Sequence, residues 1–436
     1  MLSKLENQIQ ILNSKSSVWS VMEEMTQSEN QEEAFYVCDI GNIIKKYLNW
    51  KKLMPRVETY YAVKCNDHPF VLETLATLGT GFDCASKEEI SKILDLNVQP
   101  TRIIFANPAK PESHIKYAET VNILRMTFDN QLELEKIKRS HPNAELILRI
   151  KYDDEMAHYK FGGKFGCDHL TEAPELLTKA QQLGIKVIGV SFHIGSGSQN
   201  PKVYGEAIKA ARHVFDLASN IGFKFNILDI GGGFPGAHGT SIEEISKNVN
   251  ENINLHFSDP SIKIVAEPGR YYVDSAFTVA TRIHSIATTK PDSTGIFTYM
   301  YYVNTGAYST FMNVFFNEQY KPQALNKNKR DKKYPTIIWG PTCDSLDKIC
   351  EKNKMPKMNI GDWIAFENMG AYTLTISSNF NGFPIPKVHG VVCEKLWKKY
   401  KHLMMGSEIK FDNCKEHLRC QLSEKLLYSN KFSSVN

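Results

Sequence analysis

From Arg56 onward, short runs of β-branched and apolar residues alternate with longer stretches whose apolar positions recur at helical spacing. Eight such runs fall near 58–63, 81–84, 102–106, 123–128, 145–150, 186–193, 225–230 and 263–267, each followed by a polar or glycine turn. The stretches between them are amphipathic: in 201–219, Val203, Ala207, Ala211, Val214 and Ala218 line one helix face. This alternation predicts a parallel sheet, and eight units within roughly 210 residues fit a closed (β/α)8 barrel better than an open doubly wound sheet.

The flanking segments follow other patterns. Residues 1–33 are polar with a short helical stretch around Val18–Met25, and Ala34–Asp39 reads as a strand. Beyond Arg270 the helical repeats stop, and aromatic and β-branched runs broken by Gly and Pro take over: Ile296–Val303, Thr336–Gly340, Trp363–Phe366, Thr373–Ser377 and Lys387–Val392. They predict a mainly antiparallel β domain. Residues 394–405 read as a basic amphipathic helix packed on it, Asn326–Lys333 as an exposed basic loop, and 417–436 as a loosely ordered tail. The expected division is 34–275 for the barrel, with 1–33 and 276–436 together forming the β domain.

Composition narrows the partners. The chain is 42% hydrophobic and 23% charged, ordinary for a globular protein, and 52 basic against 48 acidic residues leave a net charge of +4. That balance gives no field toward nucleic acid or an anionic membrane, so a small molecule is the expected partner. The first residues lack the apolar core of a signal peptide, and no run approaches the ~18 apolar residues of a membrane span, so a cytoplasmic location is expected. Nine cysteines without pairwise metal spacing read as free thiols, with no metal site.

Barrel enzymes gather reactive groups at the C-terminal ends of their strands. Here those ends carry Lys64, Asp83, Asn107, Asp129, Arg149, His193, Gly231-Gly232-Gly233 and Glu267. Polar loops alone account for Asn107 or Asp129, but not for the whole series. His193–Ser198 and Asp229–Gly236 are glycine turns that expose successive backbone N–H groups, the material of an anion cradle. A phosphate cradle combined with a lysine amine, a histidine and a buried acid meets the needs of pyridoxal phosphate: a Schiff-base amine, a flat group against the ring, and a carboxyl at the pyridine nitrogen.

These residues also resemble a known family. Tyr61-Ala62-Val63-Lys64-Cys65-Asn66, Gly81-Phe82-Asp83-Cys84-Ala85-Ser86, Phe192-His193-Ile194-Gly195-Ser196-Gly197, Ile230 through Gly236, Ala266-Glu267-Pro268-Gly269-Arg270-Tyr271-Tyr272 and Trp339 through Asp347 closely resemble the eukaryotic ornithine decarboxylases, in register from about Ala34 to Phe383. The resemblance implies an alanine-racemase-like architecture, a pyridoxal-5'-phosphate barrel with a β domain that includes the N-terminal strand, and a head-to-tail homodimer with shared active sites. It implies decarboxylation of L-ornithine to putrescine.

Carried over position by position, Lys64 resembles the Schiff-base lysine, Glu267 the partner of the pyridine nitrogen, and His193 the group stacked on the ring. Ser196, Gly232, Gly233, Gly269, Arg270 and the Tyr372 hydroxyl match the phosphate site, and Asp83 and Arg149 match polar residues around the cofactor. Cys343 resembles the residue that returns a proton to the substrate carbon after carbon dioxide leaves. Asp344 resembles one that binds the distal amine, and Phe380-Asn381-Gly382 a segment lining the same pocket. In that family Cys343 and Asp344 act on the opposite subunit.

One position departs. The family's Val-Asn-Asp-Gly is Val303-Asn304-Thr305-Gly306 here, so a second carboxylate for the distal amine is missing, and lysine or a neutral aliphatic amino acid stays open as substrate beside ornithine. A non-catalytic paralogue resembling antizyme inhibitor is a further alternative, against which Lys64, Asp83, Arg149, Asp229 and Cys343 are all present. Antizyme as a partner also stays open: Lys110 and Lys116 lie where the family's binding segment falls, though exposed lysines are ordinary there.

Overall fold

Strands β1 (Ile9–Leu12) and β2 (Phe35–Asp39) precede the barrel strands β3 (Val57–Ala62), β4 (Gly81–Cys84), β5 (Ile103–Phe105), β6 (Arg125–Phe128), β7 (Glu145–Arg149), β8 (Lys186–Ser191), β9 (Ile227–Asp229) and β10 (Lys263–Ala266). In the computed structural model, which describes residues 8–154, 157, 159–197, 200–291, 293, 295–326 and 331–404, β3 to β10 close into a barrel, with β10 pairing both β9 and β3 and every pair parallel. The tail expected over 417–436 lies outside those residues, as does the middle of the basic run 326–333.

The alternation of strand side chains decides what faces the barrel axis. Tyr60, Ile104, Ile147, Ile188, Ile227 and Val265, from six different strands, form their own buried cluster. Tyr61, Phe82, Ile103, Leu146, Leu148, Leu228 and Ile264, each one position away in register, belong instead to the large core shared with the helices. The apolar cluster fills the interior and leaves the C-terminal mouth for polar groups. Helices begin directly after the strands because capping side chains stand there: Ser86 accepts from the Glu89 N–H and Asn130 from the Glu133 N–H.

After the barrel come β11 (Phe277–Thr288), β12 (Tyr299–Val303), β13 (Gln323–Ala324), β14 (Lys333–Trp339), β15 (Lys348–Pro356), β16 (Trp363–Phe366) and β17 (Lys387–Cys393). The long β11 joins the sheet's halves, pairing antiparallel with β2, β16 and β12 in turn. The β domain is mainly antiparallel; its parallel pairs are β1–β17, β17–β2 and β12–β14. The strand Phe35–Asp39, expected on the barrel side of a boundary at 34, pairs here in the second sheet, and the barrel begins after it.

Thr373–Ser377 is not a strand but a short 3-10 turn at Leu374–Ile376. Its hydroxyls bond locally, Thr373 Oγ1 to Met369 O at 2.6 Å and Ser377 Oγ to Thr373 O at 2.8 Å, and so satisfy the backbone that a ladder would have used. The basic helix spans Glu394–Met404 and buries Leu396, Trp397 and Tyr400. Among the described residues no helix is long and apolar enough to cross a membrane.

Candidate active site

Lys64 follows β3 in a 3-10 turn, Val63–Cys65, that its neighbours hold rigidly. Tyr61 donates its hydroxyl to Asn66 O at 2.9 Å, Asn66 Nδ2 donates to Gly370 O at 2.8 Å, and Pro69 begins the next helix behind the His68 cap. The turn brings Lys64 to the same cavity that Ala62, the last residue of β3, lines. Lys64 emerges into this cavity, lined also with Asp83, His193, Ser196, Gly232, Gly233, Glu267, Gly269, Arg270 and Tyr372. Its side chain is 41% exposed, toward this cavity, and Nζ pairs with Asp83 Oδ2. Burial opposes the ammonium charge, but Asp83 and Glu267 outweigh it and hold the proton more tightly than on an ordinary lysine.

Glu267 and Asp229 face each other behind the lysine. Burial raises both, Asp229 to about 6 and Glu267 further; the Asp229 charge adds to the rise of Glu267, while a hydrogen bond between the two side chains lowers Asp229 and gives the proton to Glu267. Asp229 Oδ1 also accepts from the Gly231 N–H at 2.9 Å. His193 Nδ1 accepts from the Gly195 N–H at 3.1 Å, which leaves any proton of the neutral ring on Nε2. Burial, then the Arg149 and Lys64 charges, hold it neutral.

Arg270 Nε donates to Ser196 Oγ at 3.1 Å, and its guanidinium lies 5.0 Å from the Tyr372 ring centroid. Gly233 has φ +100°, and a Cβ there would come within 2.6 Å of Gly195 O. Among the described residues, the N–H groups of Gly232, Gly233 and Gly269 donate to no protein acceptor. Free N–H groups, a serine, an arginine and a protonated acid around one cavity fit a phosphorylated pyridine.

Arg149 ends β7 but does not line this cavity; its guanidinium rests 5.4 Å from the Phe165 ring centroid. Phe161 does line it, edge-on to His193 at 4.9 Å, and nothing in the sequence pattern pointed to that loop.

The remaining candidates form a separate cluster on the β domain. Cys343 is exposed and accepts from Asn381 Nδ2 at 3.8 Å. Asp344 Oδ2 accepts the Tyr308 hydroxyl at 2.6 Å, and the Tyr308 ring lies 4.8 Å from that of Phe380. Thr305 does not join them: it is 1% exposed and donates its hydroxyl to Thr310 Oγ1 at 2.9 Å inside the domain. Lys110 is likewise not a surface lysine. Its Nζ is buried on Asn107 O, Thr127 O and Glu133, and burial lowers it to about 8. Lys116 is exposed and pairs with Glu112 at 3.1 Å.

Residues 40–274 match the pyridoxal-dependent decarboxylases in their pyridoxal-binding domain. The chain belongs to that family. This decarboxylase is 46% identical to rat ornithine decarboxylase over 389 residues, 86% of this chain and 84% of the relative. It is 42% identical over 433 residues to antizyme inhibitor 2 of Xenopus laevis, 95% of this chain and 94% of that one. A solved arginine decarboxylase of Paramecium bursaria Chlorella virus superposes with a TM-score of 0.81 at 37% identity, covering 85% of this decarboxylase and 99% of that chain. Its cofactor is pyridoxal phosphate, which the cavity's acid, lysine and anion cradle suit.

Proposed function

We propose that this decarboxylase converts L-ornithine to putrescine in the cytoplasm, as a homodimer whose two active sites each draw on both copies. One observation carries the reading: Lys64, Glu267 and Arg270 share a cavity, while Cys343 and Asp344 stand in a separate exposed cluster that does not line it. A head-to-tail pair of chains unites the two clusters. The naming of the 46% identical rat relative as ornithine decarboxylase supports ornithine as the substrate.

When bound, pyridoxal phosphate supplies an electron sink for the bond to the leaving carboxylate. The protein's own residues do the rest. Ser196, Arg270, the Gly232, Gly233 and Gly269 N–H groups and the Tyr372 hydroxyl would hold its phosphate, and Glu267, propped by Asp229, would hold the ring nitrogen. Lys64 would anchor it and give way to the substrate amine. Cys343 of the partner subunit would return a proton to the substrate carbon, and Asp344 of the partner subunit would hold the distal ammonium.

The threonine at 305 favours a second reading of the same chemistry, on lysine or a neutral aliphatic amino acid, because it leaves Asp344 as the sole acid of the two substrate positions. Carbon dioxide release from ornithine, lysine, arginine and leucine at equal concentration separates the readings. Ornithine is expected to lead, and a lead for leucine would displace it. Any antizyme contact through this segment would rest on Lys116 and leave Lys110 inside.

A further inference from the structure

Asp344 is held by a residue that no motif singled out. Tyr308 donates its hydroxyl to Asp344 Oδ2 at 2.6 Å, while the Leu346 N–H donates to Oδ1 at 2.9 Å, so both oxygens of an otherwise accessible carboxylate are aimed. Tyr308 is itself fixed from three sides. Its carbonyl accepts Ser378 Oγ at 2.7 Å, its ring packs 4.8 Å from Phe380 and 5.4 Å from Phe315, and the preceding Ala307 N–H donates to the buried Asp347 carboxylate at 2.6 Å. The tyrosine thereby joins three segments, the turn at 305–308, the loop carrying Cys343 and Asp344, and the loop carrying Phe380 and Asn381.

We propose that Tyr308 is a positioning residue for substrate selection: its hydroxyl orients the Asp344 carboxylate so that this one acid holds a substrate's distal ammonium although Thr305 supplies none. The inference rests on the ornithine reading above. Each carboxylate oxygen keeps a lone pair after accepting one hydrogen bond, so an ammonium can still bind an acid so held. Consistent with a charged acceptor, the hydrogen bond to Asp344 raises the Tyr308 hydroxyl to about 12, and the same bond lowers Asp344.

Tyr308→Phe keeps the ring and deletes the hydrogen bond. The expected result is an ornithine KM about tenfold higher with kcat within about twofold, since a hydrogen bond to a charged group is lost only where the substrate is gripped. The cofactor's absorbance and the thermal midpoint stay as in the wild type. In an Asp344→Asn background the same substitution adds no further change in KM, because its action runs through that carboxylate. A KM rise that persists in Asp344→Asn, or a fall in kcat at constant KM, overturns the proposal. Wild type that releases nothing from ornithine overturns the reading beneath it and the proposal with it, whereas an active wild type with an unaltered KM in Tyr308→Phe overturns the proposal alone.

Discussion

Lys64 and Asp83 form an ion pair at the mouth of the barrel, from neighbouring strands whose register sets Asp83 opposite Ala62. The pair keeps a cavity lysine protonated when its task requires a free amine. Asp83→Asn removes the largest influence that favours the charge and leaves burial to act. The Lys64 amine should then be free at a lower pH, and cofactor-stripped Asp83→Asn should take up pyridoxal phosphate faster than wild type at neutral pH, followed by absorbance after mixing. Identical rates across the pH range would contradict this.

Acid stability should depend on His68. Its ring caps the helix Pro69–Thr77 by accepting the Phe70 N–H at 3.2 Å, and burial lowers it from 6.5 to about 4. The unfolded chain therefore binds the proton more readily than the folded one. This stabilising influence is complete above about pH 6.5 and is lost as the pH falls toward 4, by up to roughly 3 kcal/mol. Asn also caps helices but does not titrate, so His68→Asn should show a shallower fall in urea midpoint between pH 6.5 and 4.5. A parallel fall in both proteins would count against the assignment.

Most of the barrel was legible because each βα unit carries its own periodicity and each strand end its own polar residue. Lys64, Asp83, His193, Ser196, Gly232, Gly233, Glu267, Gly269, Arg270 and Tyr372 line one cavity. What escaped depends on side-chain direction and long-range pairing. No spacing shows that Thr305 turns inward to Thr310 while Tyr308, three residues on, reaches Asp344. Lys110 has the look of a surface lysine until Glu133 arrives from the helix Gln131–Ser140. The strands Phe277–Thr288 and Lys348–Pro356 went unread because their outer portions are polar and charged, which masks alternation.

The shared proton of Glu267 and Asp229 gives a third expectation. Asp229→Asn leaves a neutral neighbour, so repulsion no longer raises Glu267 and its carboxyl should ionise at lower pH. The support that aims it is weakened in the same step. Titration of the stripped protein with pyridoxal phosphate should give a dissociation constant about tenfold higher than wild type. An unaltered constant would remove Asp229 from the cofactor site.

Thr305→Asp tests the distal end of the pocket. A carboxylate there cannot donate to Thr310 as the hydroxyl does, and it either turns toward the substrate's ammonium or stays buried at a cost. The expected outcome is a preference for ornithine over leucine raised about tenfold in kcat/KM, mainly through KM. No change in the ratio would show that position 305 does not face the substrate.

The central claim is that Lys64 and Cys343 belong to one active site but to different copies of the chain. Lys64→Ala and Cys343→Ala should each be nearly inactive alone. Mixed in equal amounts under conditions that let subunits exchange, they should recover about a quarter of wild-type carbon dioxide release, because half of the dimers are mixed and each mixed dimer holds one intact site of two. Recovery near that level, rising with the mixed-dimer fraction, is the result this account requires; no recovery, with mixed dimers demonstrably formed, would contradict it.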